Sequence, residues 1–428
     1  MLRAAIIALL TICAATAAIA DTTAITNADI HTMSRAGEIA NGTIIIRNGR
    51  IDAVGTRLRV PAGATVVDAG GGVVTPGFFV LGTDLGALEV ELVKQTQDNA
   101  TANSSLSAAF DISYGIDPDS VTIPIARLGG VTRALVTPSY ADGKDRELLF
   151  AGQGAIITLA DGTNVVRRPR AAMVIELGEG GAARAGGARG SAITALRADL
   201  DDVRWYAGRR GSYNSGSTRD LRFSKADLDA LIPVARGRMP LIVGVHREAD
   251  IREVLKLARE YRLKIVLSGA EEGWMLADEI ARARVPVMLN PTANLPSSFE
   301  ARGTTMENAA RLHAAGVTIA FANGDGGHRA REARYNAGNA VAHGLPHEAA
   351  LAALTINAAR MFGDNAIGSI ERGKQADIVI WNGDPLEPRS EAKAIFIGGK
   401  SQPMTSRAED LAKRYRTLGT PYPPAYKD

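Results

Sequence analysis

The chain has 428 residues, 46% of them hydrophobic and 22% charged, and a net charge of +3. That length accommodates one large α/β barrel plus a small domain with a sizeable core. So even a charge balance gives no electrostatic reason to expect nucleic acid or a membrane surface as partner.

The N-terminus reads as a targeting segment. Arg3 supplies a short positive region, residues 4–15 are apolar, and Ala18-Ile19-Ala20 is a small-x-small cleavage site before Asp21. Residues 1–20 are therefore expected to be a signal peptide. It would deliver a periplasmic protein with no membrane span left after processing, since the apolar run is short for a span. The single cysteine, Cys13, lies inside this segment, so the mature chain is expected to carry neither thiol nor disulfide.

Residues 22–75 read as short strands punctuated by turns. Asn48-Gly49 between two apolar runs is a hairpin signal, and Val66-Val67 and Val73-Val74 are further strands. Next comes an apolar run behind a Pro-Gly turn, residues 74–86, which reads as a buried strand. Residues two apart on it, Gly82 and Asp84, should share a face. Strands and helices then alternate. Strands are expected at 131–136, 171–175, 241–246, 264–267, 286–289 and 317–322, and helices at 191–207, 250–261, 274–284, 308–315, 331–342 and 346–362. Ser224 opens a further helix with Asp227 as its capping partner. Residues 208–224, with Arg209, Arg210, Arg219 and Arg222, read as a basic loop excursion that either is solvated or takes an anionic ligand. Another hairpin is expected around Gly398-Gly399.

Three stretches carry a resemblance. Thr75-Pro76-Gly77 and the strand behind it resemble the first barrel strand of the amidohydrolase superfamily. The segment 368–381, which includes Gly373-Lys374-Gln375-Ala376-Asp377, resembles the G-K-x-A-D run of the same superfamily, and the closing helices with Leu345-Pro346 and residues 353–359 are similar as well. The likeness spans about residues 27–400 and is nearest to the imidazolonepropionase-like group. It implies a (β/α)8 TIM-like barrel beside a small composite β-sandwich built from both chain ends. The boundaries expected are 21–75 and 364–405 for the two halves of the sandwich, 76–363 for the barrel and 406–428 for a C-terminal tail.

The resemblance also implies a site. The family holds a divalent metal at the C-terminal mouth of its barrel, on a histidine pair from the first strand, histidines from two later strands and an aspartate from the last. The metal lowers the pKa of a bound water, which attacks a carbonyl carbon. In this chain the first-strand pair is Gly82 and Asp84, so the metal site is degenerate. His246 fits the first later histidine, and reads otherwise as a partly buried structural histidine. The next ligand position falls in Ser268-Gly269-Ala270, where no histidine stands, and Glu271 and Glu272 read as the start of a helix. Asp325 fits the last-strand aspartate and proton shuttle, with a turn aspartate as the competing reading. His328 lies in the same loop. The middle strand offers only Glu176 where some members carry a modified lysine. His31, His313, His343 and His347 read as surface or capping residues.

The ligand set implied is His246, Asp84, Asp325 and His328, with Asp325 catalytic. The cofactor is one divalent cation, zinc, iron or manganese, or none. The function implied is hydrolysis of C–N bonds other than peptide bonds in a small-molecule substrate. The alternative is a catalytically inactive barrel that serves as a periplasmic binding or assembly protein. A homodimer is compatible with either reading.

Overall fold

The computed structural model describes residues 22–141, 149–293, 295–322 and 326–416. The expected signal peptide and Asp325 lie outside the described residues. Two eight-stranded sheets organise the described residues. The first joins both chain ends. Strand Val73–Pro76 pairs on one side with strand Thr22–His31 and on the other with strand Ile378–Trp381. Each expected hairpin is present. Arg47 faces Arg50 across Asn48-Gly49, where both turn residues have positive φ, and Ile397 faces Lys400 across Gly398-Gly399.

The second sheet is the barrel. Its strands, in chain order, are Phe78–Thr83, Val131–Val136, Phe150–Thr158, Val166–Glu176, Leu241–Val245, Ile265–Gly269, Val287–Leu289 and Ile319–Phe321. A bridge from Leu81 to Ala322 brings the first strand to the end of the last. Alternation sorts the side chains. Phe79 and Leu81 join Leu135, Ile156, Ile242, Val266, Met288 and Ala320 inside the barrel, while Phe78 and Val80 pack outward. Burying each of these large side chains contributes roughly 1.5–3 kcal/mol. Asn357, on the helix Ile356–Met361, donates to the Ile319 carbonyl at 3.0 Å and helps to cover the N-terminal end of the barrel. The opposite, C-terminal end is left for function.

One strand departs from the expected alternation of strand and helix. The third, Phe150–Thr158, runs antiparallel to both neighbours, and it forms a hairpin with the fourth. Gly152 and Gly154 interrupt its apolar pattern, which hides it in the sequence. The fourth strand also begins earlier than its apolar run, at Val166, because its arginine-rich start is held by that hairpin.

The basic excursion makes ion pairs with the neighbouring helices. Arg210 pairs with Asp229 at 2.6 Å, Arg219 with Asp202, and Arg222 with Asp199 at 3.2 Å. Asp199, on the helix Arg189–Gly208, is only 2% exposed. Burial pushes its pKa up to about 7, with Arg222 opposing and Asp202 adding to the rise. The folded chain therefore holds a proton here that the unfolded chain, at its ordinary value of 3.8, has already released. The stability tied to this group is full below pH 4 and lost as pH rises through 7. Asp199→Asn should remove this slope and make the protein more stable than wild type at pH 8, by up to roughly 4 kcal/mol. Urea unfolding of both proteins at pH 5 and pH 8 measures the difference. Equal pH slopes in the two would refute the assignment.

Candidate active site

His246 follows the fifth barrel strand directly, at the C-terminal mouth. Its Nδ1 lies 2.5 Å from Glu271 Oε2. Its Nε2 faces Glu176 Oε1 at 3.9 Å and Glu300 Oε1 at 3.8 Å. Three barrel segments thus place three carboxylates around one imidazole. Glu176 ends the fourth strand, Glu271 follows the sixth, and Glu300 comes from the loop after the seventh.

Glycines make room for these side chains. A Cβ on Gly269 would stand 2.5 Å from His246 Nδ1, and one on Gly244 would meet the Glu176 carboxylate. One on Gly178 would meet the Glu300 carboxylate in the same way. The position expected to offer a second later histidine is therefore the floor on which the His246 imidazole lies. Gly269 also has a φ of +83°, a conformation glycine adopts without the cost a side chain would add.

Backbone amides hold the carboxylates in place. Gly178 N–H donates to Glu176 Oε1 at 3.0 Å, and Glu179 N–H to Glu300 Oε2 at 2.6 Å. Glu272 stands at the start of the helical segment as expected, just before the 3₁₀ turn Gly273–Leu276, but its side chain does not cap that turn. It is buried, and it ties the Glu248 and Gly303 amides together at 2.9 Å each, which leaves Glu271 free for His246. Arg184 stacks over the ring of Tyr140, 3.6 Å from its centroid, beside the mouth.

The charges are strongly coupled. Burial disfavours a charged His246, but the Glu271 hydrogen bond and the negative charges of Glu271, Glu176 and Glu300 outweigh it and raise its pKa to about 9. Burial raises the Glu176 pKa, against the pull of His246 and the Gly178 amide, and the other two glutamates raise it further. Burial and the Glu176 charge likewise keep the Tyr140 phenol neutral, with Arg184 opposing. The mouth therefore carries an excess of negative charge at close range.

The other expected ligands are placed differently. The first strand bulges at Gly82, where its register against the second strand slips between Leu81 and Thr83. The bulge breaks the alternation that would have put 82 and 84 on one face. Gly82 has a φ of +66°, and a Cβ there would stand 3.1 Å from the Met288 methyl, so apolar packing fills the space a histidine would need. Asp84 accepts the Gly327 N–H, and burial raises its pKa, with Gly327 and His328 opposing. His328 is half exposed, and its Nδ1 lies 3.9 Å from Glu91. Among the described residues, His246, Asp84 and His328 do not form a set of donor atoms within 4.8 Å of one another.

Sequence reading missed Glu271 and Glu300 as site residues and left Glu176 without a role. Glu176 had a usable signal, a lone charge ending an apolar strand. Glu300 had none, because its loop has no periodic pattern.

A family model described as the Amidohydrolase family matches residues 246–406. An amidohydrolase of Hapsidospora irregularis, tasK, is 23% identical over 395 residues, 84% of this chain and 40% of that protein. The chain thus spans well under half the length of this curated relative. The crystal structure of an amidohydrolase from Thermotoga maritima MSB8 superposes with a TM-score of 0.78 at 24% identity, over 90% of this chain and all of that one. Molinate hydrolase matches with a TM-score of 0.55 at 17% identity, over 90% of this chain and 95% of its own. The fold these likenesses define is a barrel with an attached sheet. The family model thus matches the C-terminal part of the chain, from the end of the fifth barrel strand into the composite sheet, and the superposition extends the likeness in fold to nine-tenths of it.

Proposed function

We propose that this protein hydrolyses a C–N bond, other than a peptide bond, at the carbonyl of a small amide or urea, using the cluster around His246. The observation that carries the proposal is the convergence of Glu176 and Glu300 on His246 Nε2 while Glu271 occupies Nδ1. Donors about 2.1 Å from one ion stand roughly 3–4 Å from each other; each carboxylate distance to Nε2 falls in that range, while the three donor atoms do not all lie within 4.8 Å of one another, so Glu176 and Glu300 would have to close on the ion. The acidic excess is what a divalent cation would neutralise, and an imidazole with carboxylates suits manganese, iron or zinc. His246, Glu176 and Glu300 would hold it. A cation there would supply an acidified water at neutral pH.

The chain's own residues do the rest. Glu271 fixes the His246 ring and keeps Nε2 turned into the mouth. The Gly178 and Glu179 amides hold Glu176 and Glu300 against rotation. Asp325, by its place after the last strand, keeps the role of proton shuttle between water and the leaving nitrogen. Asp84 anchors the turn at Gly327 that follows. Export to the periplasm is supported by the apolar leader, and no helix among the described residues is long and apolar enough to cross a membrane.

The test compares wild type with His246→Ala and Glu300→Gln after loading with manganese, reading bound metal and turnover of an amide and cyclic ureide panel. Wild type should bind one more equivalent than His246→Ala, and turnover should vanish in both variants. A second reading, a barrel kept for binding alone, is favoured by the Met288 methyl packed where a first-strand ligand would stand. Equal metal content in wild type and His246→Ala, with no turnover, would establish that reading instead.

A further inference from the structure

A cluster of side chains of metal-ligating type lies away from the barrel mouth, where the composite sheet meets the barrel. His31 is the last residue of strand Thr22–His31, and His347 and Glu348 open the helix His347–Leu354. One donor atom from each of the three lies within 4.8 Å of the other two. His31 Nδ1 is 2.6 Å from Glu348 Oε1, and His347 Nδ1 is 3.9 Å from the same oxygen.

We propose that His31, His347 and Glu348 form a zinc-type divalent metal site that clamps the composite sheet to the barrel. Two imidazoles and a carboxylate, with a water in the fourth position, make a competent zinc ligand set. The surroundings fit this use. His347 Nε2 is engaged by both oxygens of Asp384, at 3.1 and 3.0 Å. That contact places the ring proton on Nε2 and leaves the Nδ1 lone pair facing Glu348, the carboxylate–histidine–metal arrangement. Glu38, paired in register with His31, brings a further carboxylate to 3.6 Å from His31 Nδ1. The positive end of the helix opposes a cation here, and the charges of Glu38, Glu348 and Asp384 offset it. The ion would take the place of the hydrogen bond between His31 Nδ1 and Glu348 Oε1. Opening their 2.6 Å contact to the spacing of two ligands on zinc needs a shift of roughly 1 Å. Glu348, with its side chain 47% exposed, is free to make that shift, and solvent reaches the site to fill the open position.

This inference does not rest on the hydrolase reading. It is tested on the tag-free full chain, stripped with chelator and titrated with zinc chloride by calorimetry, in wild type and in His246→Ala. Both should bind zinc at the proposed site with the same affinity. His347→Ala and His31→Gln should each abolish that binding while the far-ultraviolet circular dichroism is unchanged. Asp384→Asn should weaken it about 10–100-fold, as loss of a carboxylate behind a ligating histidine does. Zinc should also raise the melting temperature of wild type and of Glu300→Gln, but not of Glu348→Gln, a variant that keeps a hydrogen-bonding group next to His31. Zinc affinity and zinc-induced stabilisation unchanged by His31→Gln and His347→Ala would overturn the proposal, as would no zinc bound by the His246→Ala chain.

Discussion

Replacing Asp377 by alanine is expected to destabilise the protein by about 3–5 kcal/mol, the cost of leaving one charge of a buried pair without its partner. Asp377 comes just before strand Ile378–Trp381 of the composite sheet, and Arg133 lies on the second barrel strand. The guanidinium Nε donates to Asp377 Oδ2 at 2.8 Å, and both side chains are under 5% exposed. Asp377 Oδ1 also accepts the Gly398 N–H at 2.7 Å. Burial raises the Asp377 pKa, and Arg133 is the main force holding the carboxylate charged. The aspartate of the G-K-x-A-D run thus links the two sheets. Asp377→Asn, which keeps an acceptor for Gly398, should cost less than Asp377→Ala. Urea unfolding at pH 7 gives both values, and a loss under about 1 kcal/mol for alanine would mean that Arg133 reaches water or another partner.

The second large effect is expected at Gly269. Adding one methyl group there puts a carbon 2.5 Å from His246 Nδ1 and 3.1 Å from Glu271 Oε2. The imidazole has to move by several tenths of an ångström or more, and a displacement of about 1 Å in a reacting group can cost roughly 100-fold in rate. Gly269→Ala should therefore reduce kcat/KM about 100-fold and weaken metal retention at the mouth, while its positive φ costs only about 1–2 kcal/mol of stability. Full activity with normal metal content in Gly269→Ala would show that the His246–Glu271 pair is not what orients the site.

The architecture was legible because its signals are local and repeated. The Asn48-Gly49 and Gly398-Gly399 turns, the run from Val74 and the apolar strand ending at His246 each show their conformation within a few residues. The site was only half legible. His246 could be placed because an apolar strand leads straight to it. Gly82 and Gly269 appear in the sequence as missing histidines. Their actual roles, a bulge over Met288 and a floor under His246, depend on atoms contributed by other strands. Glu300 comes from a loop whose course no periodicity reports. The convergence of His31 with His347 spans more than 300 residues, so neither looked more than a surface histidine.

The strand Val73–Pro76 has one further consequence, for the order in which the chain is assembled. Its partner on one side, Ile378–Trp381, lies about 300 residues downstream. Until that partner has been synthesised, the edge of the first-made sheet stands with unpaired amides and carbonyls, a template for pairing with a neighbouring chain. Closing so long a loop adds little to the equilibrium cost, since each doubling of length adds only about 0.6 kcal/mol, but such distant pairing is slow. Nascent chains stopped short of residue 378 should therefore be the species most prone to self-association. The barrel in between would act as the spacer that decides when the two halves of the sheet can meet.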